Sequence, residues 1–190
     1  MTKIEGKYDE RNRFWTEQAL NQFGYTSNFF FLISLGFFAF LFKYFKDPSF
    51  DIELVDRQKN LLVLAVTFAG ISLITSAITV LSRLHDLRLT RHTIWIRKKS
   101  YDKFNHEYPD DDLDLDHYGL CKQLKNFFST LWYRHYFIKD KDIKNEKTIN
   151  KKFTELRLRN LLLARFSWRM MNSQFVALAI SLIFYLLSSL

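Results

Sequence analysis

NLLVLAVTFAGISLITSAITVLS, residues 60–82, holds 23 residues without one ionisable side chain. A helix rises about 1.5 Å per residue, so this run covers roughly 34 Å, enough for a hydrocarbon core of about 30 Å. Arg83 follows at once, and by Lys103 the count of Lys and Arg has reached seven. A membrane span that ends in a dense basic cluster sets the topology of the chain around it.

Working outward, the same logic finds two more spans. Residues 170–190 are 21 residues without charge. Residues 25–45 are shorter in apolar content, with 14 apolar-rich positions at 29–42. Tyr25, Lys43 and Tyr44 extend that run, because aromatics sit at the interface and a lysine there can snorkel. Residues 1–24 are polar and then amphipathic. Asp9 is a candidate cap, and Phe14, Trp15, Ala19, Leu20 and Phe23 fall near one face, as in an interfacial helix. No small-residue cleavage site follows a short apolar core, so a removed signal peptide is not expected. Residues 46–59 form a charged loop between the first two spans.

The composition agrees: 190 residues, 48% hydrophobic and 17% aromatic with 20 Phe, segregated into apolar and charged blocks. Cys121 is the single cysteine, which excludes an internal disulfide framework. Neither Pro nor Gly occurs between residues 120 and 190, which favours long helices. The net charge of +8 resides entirely in residues 83–169, where 20 Lys and Arg face 12 acids. By the positive-inside rule this basic region and the N-terminus are cytoplasmic, with residues 46–59 and Leu190 on the far side.

The second span has no breaker before Tyr108-Pro109, so one helix of about 45 residues is expected from Asn60 to near Asn105. Leu87, Ile94 and Tyr101 recur every seven residues there, with Leu84 beside them. Ile149, Phe153, Leu156 and Leu163 make a stripe that runs into the third span. Leu120, Leu124, Phe127, Phe128, Leu131 and Ile138 predict a further amphipathic helix. The fold class is therefore an all-α integral membrane protein with three transmembrane helices, two of them extended into a cytosolic helical stalk or bundle.

Several constellations invite a functional reading. Ala65, Ala69, Ser72, Ser76 and Thr79 form a seam of small residues along one face of the second span. Small residues let backbones approach in lipid, and Ser and Thr bond across the gap. The seam fits packing within one chain, a contact between subunits, or a narrow polar path in an oligomer. No Asp, Glu, Lys, Arg or His lies in a span core, and no inverted repeat is visible, so a conventional secondary transporter is not expected.

Arg83, Arg88, Arg91, Arg97, Lys98, Lys99 and Lys103 interleave with His85, His92, Trp95 and Tyr101. This set fits anchoring on anionic lipid, or a site for a polyanion such as a nucleotide signal or nucleic acid. His85 and His92 stand seven apart, too far for chelation on one helix. Arg88 and His92 have three residues between them, fewer than the four to six of helical HEPN-type ribonucleases. Residues 110–116, DDDLDLD, lack the Gly and Glu of an EF-hand, since His117 and Gln123 stand where these belong. The acidic run is a solvated turn, or a mask over the basic helix. Cys121 reads as a small core residue. No Gly-rich phosphate loop, G-x-S-x-G or CxxC is present, so neither an enzyme, a metal site nor a cofactor is expected.

The second span with its exit, ITVLSRLHDLRLTRHTIWIRKKSYDKFNHEYP at residues 78–109, resembles the SLATT group of small bacterial membrane proteins. The likeness covers residues 9–108: a charged N-terminal helix, a tight two-span hairpin and a long basic helix. The resemblance implies a membrane effector of antiviral systems that breaches the bilayer when activated. A third span departs from the two-span pattern of that group, and no individual residue role carries over. The expectation is an oligomeric effector of the bacterial inner membrane, whose partners are the lipid bilayer, further copies, and a cytosolic trigger protein, nucleotide signal or nucleic acid. The alternative is a non-enzymatic anchor or assembly subunit that recruits a cytosolic partner through its basic helical region.

Overall fold

The computed structural model describes residues 3–46, 56–104, 115, 117–132, 138–139, 142–144 and 146–190. They form helices α1 (Lys3–Phe45), α2 (Asp56–Phe104), α3 (Leu120–Trp132) and α4 (Glu146–Ser188), with a 3-10 turn at Asp142–Lys144 and no strand among the described residues. Three of the helices, α1, α2 and α4, are long and apolar enough to cross a membrane. The all-helical class expected from the sequence holds, and the long second helix ends within one residue of the expected Asn105.

The N-terminal region is continuous with the first span. α1 runs through the boundary expected at residues 24 and 25, and Asp9 lies inside the helix rather than capping it. An isolated Gly lowers helix stability by only about 1 kcal/mol, so Gly24 does not end the helix without a second breaker. Ser27 Oγ donates to Gly24 O at 3.1 Å, which keeps that hydroxyl satisfied on its own helix. The acidic run at residues 110–116 lies outside the described residues, apart from Leu115.

The chain divides into two compact units, residues 1–80 with 171–190, and residues 81–170. In the first, α1, α2 and the end of α4 pack together. Contacts pair Ser34 with Ser72, Ser72 with Gln174 and Ala65 with Ser181, so α2 runs antiparallel to both neighbours. Phe30 meets Phe175 at 4.3 Å between ring centroids, and Phe37 meets Tyr185 at 5.9 Å, so α1 and α4 run in the same direction. Leu41, Leu62, Ala65 and Ala69 form a small apolar core, with Phe37, Phe38, Val66, Phe184 and Tyr185 around it. A Cβ on Gly70 would sit 3.4 Å from the Phe38 ring, so α1 approaches α2 closely at this point.

This unit has its polarity arranged inside out. Buried positions include Ser27, Ser34, Ser72, Ser76, Thr79, Gln174 and Ser181, while Phe29, Leu32, Ile74, Val176 and Ile183 are more than half exposed. Apolar side chains outside and hydrogen-bonding ones between helices is the distribution suited to lipid, where helix association relies on close packing and interhelical hydrogen bonds.

The second unit holds the rest of α2, with α3, the 3-10 turn and the start of α4. Ser82, Asp86, Leu89, Thr93, Ile96 and Ser100 are its buried positions on α2. On α4 the expected stripe is buried in full: Ile149, Phe153, Leu156 and Leu163 are each at most 4% exposed. The heptad read from Leu84, Leu87, Ile94 and Tyr101 is not the packed face. These four are 47–61% exposed, because the neighbouring a/d-type positions carry the contacts. A seven-residue apolar repeat identifies a face but not what covers it.

The α1–α2 contact makes a direct prediction. Ser34 and Ser72 hydroxyls are 3.0 Å apart, so Ser34→Cys with Ser72→Cys in a Cys121→Ser background should form a disulfide within one chain on oxidation. Non-reducing electrophoresis of a protein cleaved between the two helices would show the fragments still joined. A dimer band without the intrachain product would mean the helices pair between copies instead.

Candidate functional site

The five seam residues come together as the inner face of α2 in the first unit. Ala65, Ala69, Ser72, Ser76 and Thr79 each have 0% exposure. Residues three and four apart stack on one helix face, so the spacing alone builds a continuous strip. α1 and α4 of the same chain occupy it. Ser72 sits at the centre: it shares a hydrogen with Ser34 Oγ on α1 and lies 3.2 Å from Gln174 O on α4, to which its hydroxyl can donate. Ser181 donates to Ala65 O at 2.6 Å. Thr79 turns its hydroxyl back to Thr75 O on its own helix at 2.9 Å.

Two members of this interior are not satisfied. Gln174 is fully buried, yet neither its amide nitrogen nor its amide oxygen has a hydrogen-bond partner, and Ser76 Oγ has none either. A buried polar group left unpaired costs about 1–3 kcal/mol. Gln174 was missed by the sequence reading, since an uncharged amide does not interrupt a hydropathy run. Its position seven residues before Ser181, on the buried face of the third span, is the signal that could have found it.

The basic residues do not form one patch. Arg83 pairs with Asp86 three residues on. The Arg97 guanidinium lies over the Phe153 ring at 5.6 Å. Lys103 Nζ donates to Ile143 O at 2.9 Å, and Lys99 lies over Trp95 at 4.4 Å. Arg88, Arg91 and Lys98 are exposed and share a side of α2 with Leu84, Leu87, Ile94 and Tyr101. The structure thus keeps three of the seven together on an open face and commits Arg83, Arg97 and Lys103 to partners inside the unit.

His92 is a structural residue here. Its ring stacks on Trp95, and Nε2 accepts the Ile138 N–H at 3.1 Å. Burial holds its pKa below the ordinary 6.5. The direction suits the bond, since only the neutral ring offers Nε2 as an acceptor.

Asp86 is the second residue the sequence reading passed over. It is 4% exposed, four residues beyond the charge-free run, and in register with Ser82 and Leu89 on the packed face. Arg83 on its own helix is its ion-pair partner. From α4, Asn160 donates to Asp86 Oδ1 at 2.8 Å while its amide oxygen accepts from Thr90 Oγ1 at 3.0 Å. Next to it, Ser167 donates to Ser82 Oγ at 2.8 Å. Cys121, expected in a core, is exposed on α3.

Its three helices of spanning length are compatible with a multi-pass membrane protein. Compared with protein-family models, curated proteins and solved structures, the chain matches none.

Removing one member of a buried ion pair leaves the other uncompensated, at a cost of about 3–5 kcal/mol. Asp86→Ala should therefore destabilise residues 81–170 by about 3 kcal/mol, read as lost hydrogen-exchange protection in α2 and α4 around residues 82–93 and 160–167. Asp86→Asn, which keeps the shape, should cost less. Equal and small effects in both variants would mean that the carboxylate is not held as described.

Proposed function

We propose that the protein is a non-enzymatic membrane effector whose resting state closes three spans over a polar seam. A cytosolic trigger acts on residues 83–169, α2 and α4 separate, and the seam takes up water and ions. Three helices alone are too few to enclose a water-filled path, so the open state is an oligomer of this chain. In the setting implied by the SLATT resemblance, the chain serves antiviral defence at a bacterial inner membrane, with its N-terminus cytoplasmic and its C-terminus on the far side.

The observation that carries this reading is the unmet hydrogen-bonding capacity of Gln174 and Ser76 in the middle of the spanning unit. A passive anchor needs only an apolar exterior and close packing. Unpartnered amide and hydroxyl groups raise the free energy of the closed state, and hydration of the open state relieves them. The absence of charge from the span cores suits a path that is gated by separation rather than by titration.

The anchor reading keeps one observation in its favour. Leu84, Leu87, Ile94 and Tyr101 present an exposed apolar stripe on α2 beside Arg88, Arg91 and Lys98, a surface fitted to a recruited partner.

Induced expression in bacterial cells, followed with a potential-sensitive dye and growth, separates the two. The effector reading expects depolarisation before growth arrest. Ser76→Ala with Gln174→Met removes the unpaired groups at nearly constant volume, so the variant should insert to the same level, resist heat better in detergent and fail to depolarise. Full depolarisation by that variant would exclude the seam as the path. A normal potential at high levels of the wild-type chain would favour the anchor.

A further inference from the structure

α3 is amphipathic in the wrong sense for a helix that packs by its apolar side. Its buried residues are Gln123, Asn126, Phe127 and Thr130, three of them polar. Gln123 Nε2 donates to Tyr118 O at 2.9 Å, Asn126 Nδ2 donates to Arg159 O on α4 at 3.0 Å, and Thr130 Oγ1 donates to Asn126 O at 2.7 Å. Phe127 meets an apolar partner on α4, Phe166, at 5.3 Å between centroids. The exposed side carries Leu120, Leu124, Phe128 and Trp132, the last 74% exposed. At 3.6 residues per turn these four span an arc of about 120°, and Cys121 falls within it.

Charge borders this apolar arc. Lys122 and Lys125 follow it on the helix circumference and line a cavity of about 300 Å³ between α3 and α4, whose other polar walls are Asn126, Ser129, Glu155 and Arg159. Arg159 is bound up with Glu155 at 2.9 Å and donates to Ser129 Oγ at 3.1 Å. The two acid–base partners offset each other, and the lysines give the cavity its positive sign. An apolar face edged by lysines with a tryptophan at one end is the pattern of a helix lying in a membrane interface. A second copy meeting this face with its own α3 would bring the same two lysines against themselves, and an uncharged surface would leave them unmatched.

We propose that α3 docks on the surface of an anionic bilayer: Leu120, Leu124, Phe128 and Trp132 seat among the acyl chains, and Lys122 and Lys125 hold a lipid phosphate at the mouth of the cavity. The docking depends on charge in the lipid as well as on apolar area. It does not require the permeabilising activity, so failure of one leaves the other standing.

Cys121, the chain's single cysteine, is a built-in reporter on this face. The full chain is labelled there with an environment-sensitive fluorophore and reconstituted into vesicles of phosphatidylcholine, alone or with phosphatidylglycerol. The proposal expects a blue shift and quenching by doxyl-labelled acyl chains in the anionic vesicles, and loss of most of that shift in phosphatidylcholine alone. Lys122→Glu with Lys125→Glu, which leaves the buried face intact, should abolish the response while far-ultraviolet circular dichroism is unchanged. Water-like emission with full iodide quenching in both lipids would overturn it. A blue shift that ignores lipid charge, and grows with the protein-to-lipid ratio, would overturn it in favour of contact between copies.

Discussion

Hydroxyl groups bonded across closely spaced helices are the constraint on which the spanning unit depends. Ser72 is the central case: one hydroxyl engages Ser34 on α1 and the Gln174 carbonyl on α4, tying three helices at a single level. Such bonds require backbones close enough for a two-atom side chain to reach, and the small Ala65, Ala69 and Ser72 on α2 allow that approach. Each bond is modest, about 0.6 kcal/mol on average between helices in a membrane. Their sum holds the three helices together with a modest total energy. The same chemistry recurs in the second unit, where Ser82, Ser167 and the Leu163 carbonyl form a buried cluster.

Against these satisfied hydroxyls stand the side-chain amide of Gln174 and the hydroxyl of Ser76, buried without hydrogen-bond partners. A natural helix bundle tolerates few such groups. Their location in the interior of the spanning unit, rather than at its surface, is what links packing to function in this account. The second unit carries polarity of a different kind, a carboxylate held by Arg83 and by Asn160. That network pins α2 to α4, so any ligand that acts on residues 81–170 must work against it.

The long helices were legible because their signals are local and strong: charge-free runs, no breaker, and a stripe of small residues at steps of three and four. The α4 stripe from Ile149 to Leu163 was legible for the same reason. What was not legible is which apolar face looks inward. On α2, Leu87, Ile94 and Tyr101 repeat every seven residues, with Leu84 beside them, as cleanly as the buried set, yet the packed face is the one carrying Asp86, Thr93 and Ser100. α3 inverts in the same way, with Gln123, Asn126 and Thr130 inside. Periodicity reports that a face will be covered. Protein, lipid and partner all satisfy it, and only the contacts distinguish them. A hydropathy run does not reveal Gln174, whose amide carries no charge, nor Asp86, which lies just beyond the charge-free stretch.

The central claim is that the α2 seam is closed at rest and hydrated when the membrane leaks. Ser76→Cys in a Cys121→Ser background places a single thiol in that seam. Its reactivity toward a water-soluble maleimide, followed in cells alongside membrane potential, tests the claim most directly. The account predicts no labelling before depolarisation and labelling that rises with it. A thiol that stays unreactive while the membrane depolarises would contradict the account.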